Sequence, residues 1–169
     1  MTRILLTGAT SNGGAATLDH LLQAPNATER LVAAIRPGSA PPLPNGITSV
    51  PLDFTDPSTH EPALQGIDHL LLVRPPELSD VKRYLRPFIQ RAQLSGVRHV
   101  VFVSLQGVQL NWFAPHHKVE ADLRRSGMSW TMLRPSYFFY VKPEHYAPLR
   151  YPVLQPGSAT RRQWPHVFH

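Results

Sequence analysis

Six short strand-like runs, most of them apolar throughout, set the strongest limit on how this chain can fold. They are Ile4-Leu5-Leu6, Leu31 to Ile35, Thr48-Ser49-Val50, Leu70 to Val73, Val100 to Val103 and Trp130 to Leu133. Between them lie stretches that read as helices. One runs from about Gly14 to Leu22 and is stopped by Pro25; a short one opens at Asp56-Pro57 and reaches Leu64. A third runs from Ser79 to Ser95, with Val81, Leu85, Phe88, Ile89 and Ala92 on one face, and Pro87 is expected to kink it or to mark its deformable turn. The last runs from Pro115 to Ser126, before Gly127. Strands apolar on both faces belong in a sheet covered on both sides. Alternation of such strands with helices predicts an α/β fold with a doubly wound parallel sheet of about six strands and right-handed crossovers. Four prolines between Pro37 and Asn45 argue against a helix after the second strand.

Composition narrows the class. The 169 residues suit one domain, or one domain and a tail, and 42% hydrophobic residues can fill a core. With no cysteine there is no disulfide, no thiolate metal site and no thiol nucleophile. The first apolar run is too short for a signal-peptide core and no run approaches the length of a membrane span, so a soluble, cytoplasmic protein is expected. Half of the net charge of +6 falls in residues 141–169. The densest basic segment, Lys82, Arg83, Arg86 and Arg91, fits the exposed side of a helix. Neither nucleic acid nor membrane is therefore an expected partner. The nine histidines show no ligand spacing, so no metal is expected.

The turn after the first strand reads Thr7-Gly8-Ala9-Thr10-Ser11-Asn12-Gly13-Gly14. Glycines between a strand and a helix are the place where a dinucleotide fingerprint has physical meaning, which makes the sheet Rossmann-like. Gly8 allows the tight turn, and Gly14 lets the helix approach the sheet. Gly8, Thr10, Ser11, Asn12 and Gly14 would then cradle a pyrophosphate at the positive end of the helix dipole. The alternative is a structural glycine turn without a ligand. Arg36 ends the second strand, where an acid would suit the ribose hydroxyls of NAD and an arginine suits the 2′-phosphate of NADP. No acid is close to it in sequence, so NADP(H) is expected over NAD(H); the alternative is a solvated strand-end arginine.

The turn resembles the T-G-A-T-G-x-x-G pattern of the NmrA-like family of atypical short-chain dehydrogenases/reductases. Thr7, Gly8, Ala9, Thr10 and Gly14 match it, and Ser11 departs at the middle glycine. The resemblance implies an NAD(P)-binding domain over residues 1–138, with Asp53 at the adenine edge and Val73 on the chain that passes the nicotinamide ribose. It also implies a lysine near that ribose, matched by Lys118 in His116-His117-Lys118-Val119-Glu120. Ser104, ending the fifth strand, resembles the serine that orients a substrate carbonyl; it could equally be a strand-terminal serine bonding the backbone. The Tyr-x-x-x-Lys pattern would need tyrosine at 114, and this chain has Ala114. Catalytic candidates are thus Ser104 and Lys118, with His117 as a substitute proton donor unless it merely faces solvent.

Residues 139–169 carry no helical or alternating period, and Pro143, Pro148, Pro152, Pro156 and Pro165 interrupt them. This irregular, proline-rich tail stands where the family continues into a substrate lobe. It is expected to be a frameshifted or spliced end, or else a divergent extension. The leading functional expectation is an NAD(P)H-dependent oxidoreductase passing hydride to a small quinone- or azo-like acceptor. The alternatives are a non-catalytic NAD(P)-sensing regulator acting through a protein partner, and an inactive truncated product.

Overall fold

The computed structural model of the chain describes residues 2–39 and 41–135. All six strands form: β1 (Ile4–Leu6), β2 (Leu31–Ile35), β3 (Thr48–Pro51), β4 (His69–Val73), β5 (His99–Val103) and β6 (Ser129–Leu133). They make one parallel sheet in the order β3-β2-β1-β4-β5-β6. The chain winds outward from β1 through β2 to β3, then crosses back to place β4 on the other side of β1. That reversal creates a crevice at the carboxyl ends of the strands, where open α/β sheets bind ligands. The fold is a Rossmann-like α/β sheet, as the alternation of runs predicts.

The helices are α1 (Asn12–Leu21), α2 (Ala27–Arg30), α3 (His60–Leu64), α4 (Val81–Leu94) and α5 (Pro115–Arg125). The first begins two residues earlier than expected, because Ser11 is its N-cap and its hydroxyl accepts from the Gly14 N–H at 3.2 Å. The segment opening at Asp56-Pro57 is a 3₁₀ turn, Pro57–Thr59, before it becomes α3. Pro62 has no N–H to give the carbonyl one turn earlier, so the regular helix starts late. The short α2 was not foreseen; it follows Asn26 in the left-handed region (φ 54°) and buries Ala27. The described residues between β2 and β3 hold turns and no helix, as the prolines require. Helix α4 runs continuously through Pro87.

Two cores cover the two faces of the sheet. On one face Val81, Leu85, Phe88, Ile89 and Ala92 of α4, with Val119 and Leu123 of α5, pack on Leu70, Leu72, Val100 and Phe102. Phe88 is fully buried and meets the Phe54 ring edge-on at 4.9 Å. Burying each large apolar side chain here contributes about 1.5–3 kcal/mol. On the other face Leu18 of α1 and Ala27 of α2 pack on Leu6, Leu31, Ala33 and Leu71. The small residues of α1 let it lie close to β1, which fixes where the glycine turn sits. The expected tail, residues 139–169, lies outside the described residues.

Candidate functional site

Thr7, the last residue before the turn, is buried and ties it to β4. Its hydroxyl donates to the Leu71 and Val73 carbonyls and accepts from the Val73 N–H at 2.8 Å. Gly8 follows with φ +66°, and a Cβ there would sit 3.0 Å from the Val73 Cβ. At Gly14 a Cβ would stand 1.9 Å from the Gly8 carbonyl oxygen. Both glycines are thus demanded by backbone conformation and by close approach.

Ser11 is turned to a different use from the one foreseen. Its hydroxyl donates to the Gly8 carbonyl at 2.7 Å and accepts from the Gly14 N–H. Its proton is committed within the turn, so it braces the loop rather than offering a donor to a phosphate. The first turn of α1 still carries the N–H groups of Asn12 and Gly13, which helix geometry leaves without an intrahelical partner. Asn12 opens the helix.

The turn separates two cavities at the carboxyl edge. One, of about 540 Å³, is lined by Thr7, Gly8 and Thr10, the β2 end at Arg36, the β3 end at Asp53, and Pro75, Glu77 and Leu78 from the loop after β4. The other, about 650 Å³ and mostly apolar, is lined by Ser11, Gly13, Thr17, Val73, Val103, Leu133, Arg134 and Pro135. Gly8, Thr10, Arg36 and Asp53 therefore share the first cavity, while Ser11 and Val73 line the second. Asp53 receives the N–H and hydroxyl of Thr55 at 2.8 and 2.7 Å. Those bonds, hydroxyl first, hold its carboxyl below the usual range.

Arg36 stands where the sequence puts it, but its surroundings are not free of acid. Glu77, 41 residues away, pairs with it at 2.6 Å and lines the same cavity as Asp53. The sheet order brings the β2 end and the β4 loop to either side of β1, which sequence distance conceals.

Neither of the expected catalytic residues lines either cavity. Ser104 is fully buried and its hydroxyl donates to Glu120 Oε1 at 2.7 Å, so it neither faces a cavity nor bonds the backbone through its side chain. Lys118 is exposed and lines neither cavity. Ala114 is the N-cap of α5 and offers no hydroxyl. His116 and His117 are both packed, against the expectation that they simply face solvent. His116 lies 5.8 Å from the Phe102 ring, and His117 stacks on Trp112 and bonds the Val108 carbonyl at 3.2 Å. Burial, helped by the Arg74 charge, pushes the His116 imidazole down to about 4, so it is neutral at pH 7.

What the sequence reading missed is the carboxylate behind the second cavity. Glu120 is fully buried and receives two bonds from Arg134, at 2.8 and 2.7 Å, one from Arg124 at 2.8 Å and one from Ser104. Burial opposes its charge, but these donors outweigh it and bring the carboxyl down to about 2. Arg134 and Pro135 line the second cavity, so the Glu120 fork holds its floor. The signal was an acid one helical turn before Arg124, in a segment otherwise read for its lysine. Arg74 was missed as well. Its Nη1 donates to the carbonyls of Pro75, Pro76 and Leu78, which gathers the loop that carries Glu77. Among the described residues no three His, Asp or Glu side chains converge as metal ligands, and no helix is long and apolar enough to cross a membrane.

Comparison with known proteins bears on what this crevice holds. Quinone oxidoreductase 2 of Escherichia coli (strain K12) is 29% identical over 139 residues, covering 80% of this chain and 49% of the relative. The crystal structure of an NADPH-dependent quinone oxidoreductase from E. coli, complexed with NADPH, matches at TM-score 0.66 and 28% identity over 78% of this chain and 48% of that one. Triphenylmethane reductase of Citrobacter sp., complexed with NADP(H), matches at TM-score 0.67 over the same shares, but at 20% identity it speaks for the fold alone. The chain spans about half the length of these relatives. A family model described as NAD(P)H-binding matches residues 8–163. With the glycine turn dividing two cavities at the switch point of a Rossmann-like sheet, that match means the chain belongs to the NAD(P)H-binding family, as its NmrA-like resemblance implies.

Proposed function

We propose that the protein binds NADP(H) in preference to NAD(H) and serves a reductase that passes hydride to a small quinone- or azo-like acceptor. One observation carries the reading: the glycine turn stands between a polar cavity holding Arg36 and an apolar cavity floored by Val73, Val103 and Leu133. An adenosine bearing a 2′-phosphate suits the first, a nicotinamide ring the second. Gly8 and Thr10, with the Asn12 and Gly13 N–H groups, would take the pyrophosphate between them. The closure of the turn supports this: without Cβ atoms Gly8 packs against Val73 and Gly14 against the Gly8 carbonyl, which holds the start of α1, with its unpartnered N–H groups, beside the end of β1. When bound, the dihydronicotinamide supplies a hydride.

The described residues supply position and an apolar wall rather than a proton. Ser104 is tied to Glu120, position 114 is alanine and Lys118 lines neither cavity, so among the described residues these candidates are not placed to protonate an alkoxide. A general acid is worth about 10²–10⁴-fold, so ordinary ketone reduction is disfavoured. A quinone takes the hydride at one oxygen or ring carbon and collects its proton from water. The E. coli relative's name as a quinone oxidoreductase supports this acceptor class.

The same absence favours a second reading, an NAD(P)-sensing regulator that acts through a protein partner and turns nothing over. Titrating NADPH and NADH into the full chain, then adding quinones and following nicotinamide absorbance, separates the two. Oxidation of NADPH supports the reductase; binding without oxidation leaves the regulator; no binding removes both. Replacing Arg36 by Ala is expected to weaken NADPH about tenfold or more and NADH much less, as loss of a charge-assisted phosphate contact should.

A further inference from the structure

The cation that would read the 2′-phosphate is already paired. Arg36 Nη2 lies 2.6 Å from Glu77 Oε1, and both side chains line the cavity that Gly8, Thr10 and Asp53 share. Glu77 is carried on the short loop after β4, and that loop is gathered by Arg74, whose Nη1 bonds three of its carbonyls. An anion therefore stands in the place where the phosphate of NADP(H) would approach Arg36. Its carboxyl is held below the usual range by a bond from its own N–H and then by Arg36, so it is charged at neutral pH.

We propose that Glu77 is a specificity-determining residue of the dinucleotide site, competing with the cofactor's 2′-phosphate for Arg36 and accepting the ribose hydroxyls of NAD(H). This rests on the dinucleotide reading and deepens it. A 2′-phosphate brings about two negative charges and displaces a single carboxylate from Arg36. Glu77 then faces it as a like charge, which lowers affinity for NADP(H). An unphosphorylated ribose leaves the pair intact and presents hydroxyl donors to a carboxylate, the role an acid commonly fills in such sites. The chain thus carries one residue of each sign at the discriminating position, Arg36 from β2 and Glu77 from the β4 loop. The two oppose each other in setting the preference. Both are more than half exposed, so the pair itself is weak and the exchange is open to a ligand.

The test is calorimetric titration of the full chain and its Glu77→Gln variant with NADPH, NADH, adenosine 2′,5′-bisphosphate and adenosine 5′-monophosphate. Glutamine keeps the size of the side chain and removes its charge, and at an exposed position folding should be unaffected, which a thermal melt checks. The expected result is about three- to tenfold tighter binding of the two 2′-phosphorylated ligands in Glu77→Gln, with NADH unchanged or weaker. In an Arg36→Ala background the gain should shrink, because the competition has lost its object. An unchanged NADPH-to-NADH ratio with both cofactors still bound overturns the role of Glu77 and leaves the dinucleotide reading standing. Failure of every ligand to bind the unaltered protein overturns both.

Discussion

Glu120 shows how a single residue can govern a site without touching a ligand. It is buried with two arginines and a serine around it, and the arginine that it holds most firmly, Arg134, lines the apolar cavity. Changing Glu120 to Gln leaves Arg134 and Arg124 short of a counter-charge and should cost about 3 kcal/mol of stability, read from urea unfolding. His116 gives a pH dependence of definite sign. Its folded value of about 4 lies below the ordinary 6.5, so the unfolded chain binds the proton more readily between those limits. Stability is fully present above pH 6.5 and falls as pH drops toward 4. Below that, Glu120, displaced from 4.5 to about 2, removes more. His60 is also lowered by burial and acts in the same direction. Unfolding curves across pH 7 to 4 should therefore be shallower in pH for His116→Gln than for the unaltered chain; equal slopes would refute the part given to His116. The glycine turn, Arg36 and Asp53 were legible in the sequence because each sits at a strand end that its own neighbours define. Glu77 and Glu120 were not, because their partners come from other elements.

Helix α1 and its turn behave as one element. Ser11 caps the helix, Gly14 lies against the Gly8 carbonyl, and Thr7 pins the strand end to β4. A methyl group at Gly14 meets backbone rather than a movable side chain, so Gly14→Ala should cost more than about 2 kcal/mol and abolish nucleotide binding. A thermal melt and an NADPH titration on the same sample check both halves of that statement. Most element boundaries were readable to within one or two residues, since caps and prolines mark them. The exceptions have local causes. Pro62 delays α3, and α2 depends on a left-handed Asn26 that no period announces.

Across the whole described domain, the two cavities are joined by one turn, so a dinucleotide lying over it would tie β2, β3, β4 and β6 ends together. Ligand that binds only the folded state adds stability by mass action. NADPH at a hundred times its dissociation constant should add about 2.7 kcal/mol, seen as a rise in melting temperature that NADH at equal concentration does not match. An equal rise with NADH would count against the preference. The sequence by itself determined the layers and the turn. Apolar runs of strand length must be covered on both faces, and glycines between strand and helix permit the left-handed turn and the close approach that other residues would block. It also determined that position 114 offers no hydroxyl. Tertiary structure alone decided what those residues face. Strand order set Glu77 against Arg36 across β1, and packing of α5 turned Ser104 toward Glu120 and away from both cavities. The physical reason is that periodicity is a property of neighbours along the chain, whereas charge pairing depends on distances that only the completed sheet fixes.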